Sequence, residues 1–481
     1  VLTRSQAYGG DVIVQQGALT VTAPLSAASI ALSGDTSFIV DVADGMTLTP
    51  GITGTGAVEK NGLGVLTLAP TANIQGPLNV NAGAVIINSV VAGHVQVATE
   101  TGVSVVGAVT GDIRNDGNVL FARSGVSFYD GAISGSGTVT VPDFSRLILS
   151  GANTYTGLTR VGRNGGLVVT GSIAGDVASE GATTFSPART MTYGGVISGA
   201  GGLIQAGSGR SILTGASTYS GNTQVNGGSL IINGSIGSNT IVNSGGVLGG
   251  VGTINGFVRI NSGGRLEPGN SPGLLTVNGP LLLVAGSTTA IEVDPRLNPN
   301  HDQINVAGAA VIQPGAKLAV QPLGAMTNYG RIQRYTILAA NGGVSGTFID
   351  TDISSTMAFL TPVPLYSVNR VDLALIRNDI SFASLAATPN QAAVAAAAQT
   401  AGIGAAAYDA LIGQDDQGAR AGYDALSGEF YGAAGDFLID RSRYQREALL
   451  TRATDGGPRG AWAQVLSATT RADALNESAD T

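Results

Sequence analysis

Cysteine is absent from the 481 residues. That excludes a disulfide framework and any thiolate metal site. Lysine is almost absent: Lys60 and Lys317 are the two, in a chain of net charge −8. A phosphate-binding surface needs clustered Lys and Arg, which argues against nucleic acid as a partner. Charged residues make up 12% and aromatics 5%, where a globular domain carries ~25% charge. No run of about 18 strongly apolar residues occurs, as a spanning helix requires. The nearest stretch, Ile380 to Tyr408, is mostly alanine and is interrupted by Pro389. The opening Val1–Ser5 has neither a basic nor an apolar signal region and no initiator Met, so a mature chain or a fragment is expected.

What is present is glycine, 72 residues, about 15% against a background of ~7%. Mean hydropathy is +0.25, which is not the composition of a disordered chain. Glycine does not recur every third residue, which excludes collagen. Asp11–Val14, Ala18–Thr22, Ser37–Val42 and Ala84–Asn88 are short apolar or alternating runs. Each is closed by residues that tolerate turn geometry, the signature of short strands. No helical period of 3.6 is sustained before about residue 380.

The runs repeat. Ile133–Gly137 matches Ile197–Gly201, and Ala152–Gly157 matches Ala216–Gly221, both pairs at one and the same long interval. A fainter copy starts at Ile52–Gly56 and passes through Leu66–Leu68 to Gly76. In all three copies a valine follows the last glycine by four: Val80, Val161 and Val225. A shorter interval also recurs: Val242–Gly246 returns as Ile260–Gly264, and Leu248 as Leu266, with equal spacing. A period of about 18 to 22 residues with three short strands is one coil of a β-solenoid. One coil cannot bury its own face, so stacking is required. Residues 1 to 375 then predict 17 to 21 coils and a rod roughly 80 to 100 Å long at ~4.8 Å per coil.

The unit Gly209–Leu230 resembles the passenger-associated β-strand repeat of bacterial autotransporters, the type V secretion family. Leu266–Val277 resembles the element that commonly follows it, as do Asp302–Val306, Tyr335–Leu338 and Val344–Phe348. The resemblance implies an all-β fold: a right-handed parallel β-helix with a C-terminal α-helical linker. It implies a repeat-containing passenger over 1–250 and an autochaperone-like C-terminal passenger over 251–378. An alanine-rich helical linker then covers 379–457. The apolar positions Tyr423, Leu426, Phe430, Phe437, Leu438 and Tyr444 carry its helical spacing, and four arginines lie in Asp436–Arg452. In the family this linker sits inside the pore of the membrane barrel; taken by itself, the segment reads equally as a solvated helix on the rod's end. Pro458–Leu466, with Trp462, resembles the first strand of an outer-membrane barrel, which would be cut short over 458–481.

The chemistry is sparse. A hydrolytic triad needs a base, and the two histidines, His94 and His301, sit in turn or loop sequence. The serines of Gly135–Gly137 and Gly207–Gly209 belong to the repeat and lack a strand–turn–helix elbow. The carboxylate pairs Asp350 with Asp352, Asp294 with Asp302, and Asp112 with Asp116 could serve glycoside chemistry if held at a set separation. Calcium-binding nonapeptides and phosphate loops are absent. Tyr155 and Tyr219 recur with the repeat, as a ligand stripe or as a packing position; packing is the expected role.

The expectation is therefore a non-catalytic cell-surface or secreted stalk, structural or adhesive, whose C-terminal coils aid export and folding. No catalytic, cofactor-binding or metal residues are assigned, and no cofactor. The expected partners are its own outer-membrane β-barrel, the outer-membrane assembly machinery, and host surface or cell-surface glycans. The alternatives are the stalk of an autotransporter protease or esterase whose catalytic domain lies upstream, and a β-helical carbohydrate-active enzyme.

Overall fold

A run of four β-branched residues closed by glycine buries one side chain in two, and only if other strands lie above and below it. The computed structural model, which describes residues 1–294, 300–323 and 334–454, stacks these runs as a parallel β-solenoid of about 14 turns. The strands match the runs read from sequence: Val12–Val14, Ala18–Val21, Ser37–Val40 and Ala84–Ile87. Each pairs in parallel with the strand one turn on, as in Ala18 opposite Ser37 and Ser37 opposite Ala57.

Alternate residues point inward and form buried columns. One runs Leu213, Ile232, Gly250; its neighbour runs Leu230, Leu248, Leu266, in register rung by rung. Each fully buried aliphatic side chain contributes about 1.5–3 kcal/mol. At the corners, asparagines stack outside the core: Asn243 Nδ2 donates to Asn226 Oδ1 at 2.7 Å, and Asn261 Nδ2 to Asn243 Oδ1 at 2.8 Å. The high glycine content has a similar cause, because corner backbones of successive turns nearly touch. A Cβ on Gly151 would lie 2.1 Å from the Gly131 carbonyl oxygen.

The shorter of the two sequence intervals is one turn: Leu248 lies directly opposite Leu266. The longer one is three turns plus one strand. Ile133–Ser134 ends a seven-stranded sheet, whereas Ile197–Ser198 ends the nine-stranded sheet beside it. The faint copy, Gly51–Gly54, ends a third, three-stranded sheet. The two clear copies thus end sheets on neighbouring faces, whereas the ladder of the faint copy runs on through Ile74 to Val91.

The expected 17 to 21 coils are too many. Turns in the body are short, as from Gly102 to Asn118 or from Asn118 to Thr138. The later ones lengthen: Val258 pairs with Leu281, Leu281 with Ala310, and Ala310 with Val344. In the first of these the added length is the loop between Pro268 and Leu274, which adds no rung. About 14 turns at ~4.8 Å give a body roughly 65–70 Å long.

The C-terminal end changes character. Leu360–Ser367 and Arg370–Arg377 form an antiparallel hairpin, and Arg370–Arg377 pairs antiparallel with Arg334–Ala340. Four helices follow: α1 Pro389–Ala401, α2 Ala406–Leu411, α3 Asp416–Ser427 and α4 Glu429–Thr454. Thr388 caps α1 by accepting from the Gln391 N–H, with Pro389 in the first turn; proline there forfeits no helical bond. Asp415 caps α3 through the Gly418 N–H at 2.7 Å.

The stripe read across 423–444 does not form one buried face. Tyr423 is buried, but Leu426, Leu438 and Tyr444 are exposed. Gly428 has φ +73°, the left-handed geometry that ends a helix, so the period crosses a break between α3 and α4. Pro458–Leu466 lies outside the described residues.

Candidate functional site

Most residues with chemical potential are used by the fold. Asp112 Oδ1 accepts the Ala132 N–H at 2.8 Å, and Asp116 Oδ1 accepts the Ser136 N–H at 3.1 Å. The Ser136 N–H bond, with Arg114 beside it, holds the Asp116 carboxyl below its ordinary range. These two aspartates cap the next turn and do not face each other as a catalytic pair. Asp350 and Asp352 lie in a single 3-10 turn. His94 is part of a turn between strands, and His301 Nε2 lies 2.9 Å from the Thr336 carbonyl, its ring edge-on to Tyr335. Among the described residues, no group of three or more His, Asp or Glu side chains could hold a metal ion.

Tyr155 and Tyr219 are fully buried, as expected of packing positions. Their hydroxyls pair with Thr159 Oγ1 at 2.6 Å and Thr223 Oγ1 at 2.5 Å. Burial pushes the Tyr155 phenol up to about 12. Two more tyrosines repeat at the same interval: Tyr129 and Tyr193 donate to the carbonyls of Gly111 and Gly175, and each packs on Phe121 or Phe185.

Lys60 occupies an inward column position between Val40 and Val80 and is fully buried. Its Nζ donates to the carbonyls of Gly62 and, at 3.2 Å, Ala82. Burial lowers its pKa, opposed by the charge of Asp41. In the sequence it sits in an ordinary alternating strand, Ala57–Lys60, with nothing to set it apart.

A polar pocket of about 330 Å³ lies beside Leu266–Val277. Two small residues on the outward face of one sheet, Ser229 and Ala290, line it. Arg265 forms an ion pair with Glu267 across it, and Glu292 and Arg210 border it. At its base Asp302 is 2% exposed. One carboxylate oxygen accepts the Gly273 N–H and the other the Glu292 N–H, both at 2.9 Å. Burial, added to the charges of Glu292 and Glu267, outweighs those two bonds and pushes the Asp302 carboxyl up to about 7. Asp302 thus pins the loop after Leu266 to the strand one turn on.

The second feature is the cap. Phe382 is fully buried at the end of the solenoid, its ring 4.6 Å from Phe359 and 5.0 Å from Tyr408. Arg377 lies over both Phe359 and Phe382, and the Tyr423 hydroxyl donates to the Phe382 carbonyl at 2.6 Å. Ala395, Ala398, Leu411, Ile412 and Ala419 join the same core. Helices α1 to α3 therefore close the rod, and among the described side chains of α4, from Leu438 on, most are exposed.

A stack of short parallel strands in a recurring pattern defines the class: a β-solenoid. A family model, the passenger-associated-transport-repeat, matches residues 58–87, 145–169 and 203–232. Those matches and the solenoid support an autotransporter passenger with such repeats, and that family implies a cell-surface or extracellular location. Among proteins of curated function no match is found.

Proposed function

We propose that this passenger is a structural and adhesive rod, and that its C-terminal coils and cap aid its own export and folding. The observation that carries this is the closed C-terminal end. An antiparallel hairpin and a helical cap cover the last rung, and a covered end is a stable template for the turns before it. In this reading α4 leads to an outer-membrane β-barrel, the assembly machinery inserts that barrel, and the adhesive partners are host-surface or cell-surface glycans. The test is refolding from denaturant of the whole chain and of a chain lacking 382–427. Slower refolding with more aggregate in the shortened chain is expected; equal rates and yields would count against the templating role.

A carbohydrate-active reading draws on the pocket, where Glu267 and Glu292 share one polar cavity. New reducing ends on incubation with polysaccharides, lost in Glu267→Gln, would favour it. Neither reading bears on a catalytic domain upstream, which the sequence of the full gene would reveal.

A further inference from the structure

The strand Gly125–Tyr129 is the first of an eleven-stranded sheet and pairs on one side, with Ser145–Leu149. The turn beneath it, from Gly102 to its partner Asn118, is shorter than the next, from Asn118 to Thr138. The short turn's strand, Ala108–Val109, pairs backward with Val90–Val91 and not forward. Gly125–Tyr129 is therefore a ledge. The Ser150 N–H donates to the Tyr129 carbonyl at 3.1 Å, which fixes the parity of the ladder. In a parallel pair, alternate residues turn both polar groups to the same neighbour. Gly125, Ser127 and Tyr129 serve the next turn, and Val126 and Phe128 present their N–H and C=O to the open edge.

The side chains on that edge are apolar and exposed. Val126 is 43% exposed, Phe128 72% and Phe144, one turn on at φ +59°, 74%. Phe128 begins an outward row that continues through Ile148 and Val168.

The second copy of the repeat is an internal control. At the corresponding place, Thr190–Tyr193 is likewise the first strand of its sheet, again after a short turn, Gly166 to Ala182. There Val126, Phe128 and Phe144 are replaced by Thr190, Thr192 and Ser208. The fold thus accepts polar residues at the ledge, and the aromatic ones are not required by packing. Arg123 and Arg163 flank the apolar ledge, where the second copy has Pro187 and Gly227. With Arg146 they are exposed and make no ion pair among the described residues. The nearby aspartates are engaged, Asp130 with Ser150 and Asp143 with the Arg163 N–H.

We propose that the Gly125–Tyr129 ledge binds an extended peptide strand of a partner protein, apolar at alternate positions and carrying a carboxylate beside them. Strand addition to an open edge takes its affinity from main-chain hydrogen bonds and its selectivity from alternate side chains. The exposed arginines, in a chain that is otherwise acidic, favour an acidic flank.

The test uses the whole chain and a fluorescein-labelled seven-residue peptide of alternating valine and threonine with glutamate at each end, read by anisotropy. Saturable binding is expected, weakened at least ten-fold in Val126→Thr/Phe128→Thr, a variant that copies the second repeat and keeps its circular dichroism. The same peptide N-methylated at its central valine is also expected to bind at least ten-fold more weakly. Absence of saturable binding, equal binding by the double variant, or indifference to N-methylation would each overturn the proposal. Self-association lost in the double variant, without peptide binding, would overturn it too and assign the ledge to a second copy of the chain.

Discussion

Replacing Asp302 by asparagine tests how the loop after Leu266 is held. The carboxylate accepts two backbone N–H groups from two different turns and is almost wholly buried. Its pKa rises from 3.8 to about 7. A carboxyl with a raised folded-state pKa favours folding below its unfolded value, and that contribution is lost as pH climbs through the folded value. A shift of about three units corresponds to about 4 kcal/mol lost between pH 4 and pH 7. Asparagine does not titrate, so the variant lacks this loss. It keeps one acceptor but turns an amide N–H₂ toward the second backbone donor, a pH-independent cost of about 1–3 kcal/mol. The assay is urea unfolding of both proteins by far-UV circular dichroism from pH 4 to 8, with amide exchange at Gly273 and Glu292 as the local readout. The stability of wild type minus variant should fall as pH rises from 4 to 7 and then level. A difference that is flat, or that grows with pH, would refute the assignment of a protonated Asp302 at mildly acidic pH.

Gly151→Ala forces a methyl group against the Gly131 carbonyl and should cost about 1–3 kcal/mol, seen as a lower urea midpoint. Tyr193→Phe removes the bond to the Gly175 carbonyl and leaves that acceptor buried. It should cost about 1–3 kcal/mol, and an unchanged melt would refute it. Asn243→Ala breaks both bonds of its corner ladder. Faster amide exchange should follow at Asn226 and Asn261 and not at distant turns, because solenoid coupling is to nearest neighbours. Phe382→Ala empties the centre of the cap and should cost about 3–5 kcal/mol, with proteolysis starting in 382–427.

The solenoid was legible because its logic is local. Leu248 and Leu266 carry the same neighbours at one-turn spacing, and that spacing is the register. The number of turns was not, because nothing in Gly269–Gly273 distinguishes an excursion from a rung. The cap was half legible. Alanine-rich helices were visible after residue 380, but their burial depends on Phe382 meeting Phe359 and Tyr408, contacts between residues far apart in the chain. Nor does the strand Ala57–Lys60 announce that its lysine points inward; the alternation that identifies a strand does not say which parity is core. The turn-capping of Asp112 and Asp116 was not legible either, because it depends on N–H groups one turn on.

A period of three turns plus one strand makes the repeat behave as a screw thread, not a stack of identical discs. Each added copy advances the pattern to the neighbouring face, so the ledges at 125 and 190 look outward in different directions. Growth of such a rod by duplication lengthens it and also turns its decoration around the axis. A passenger of this kind can present successive copies of one surface device around its circumference, with their chemistry free to diverge.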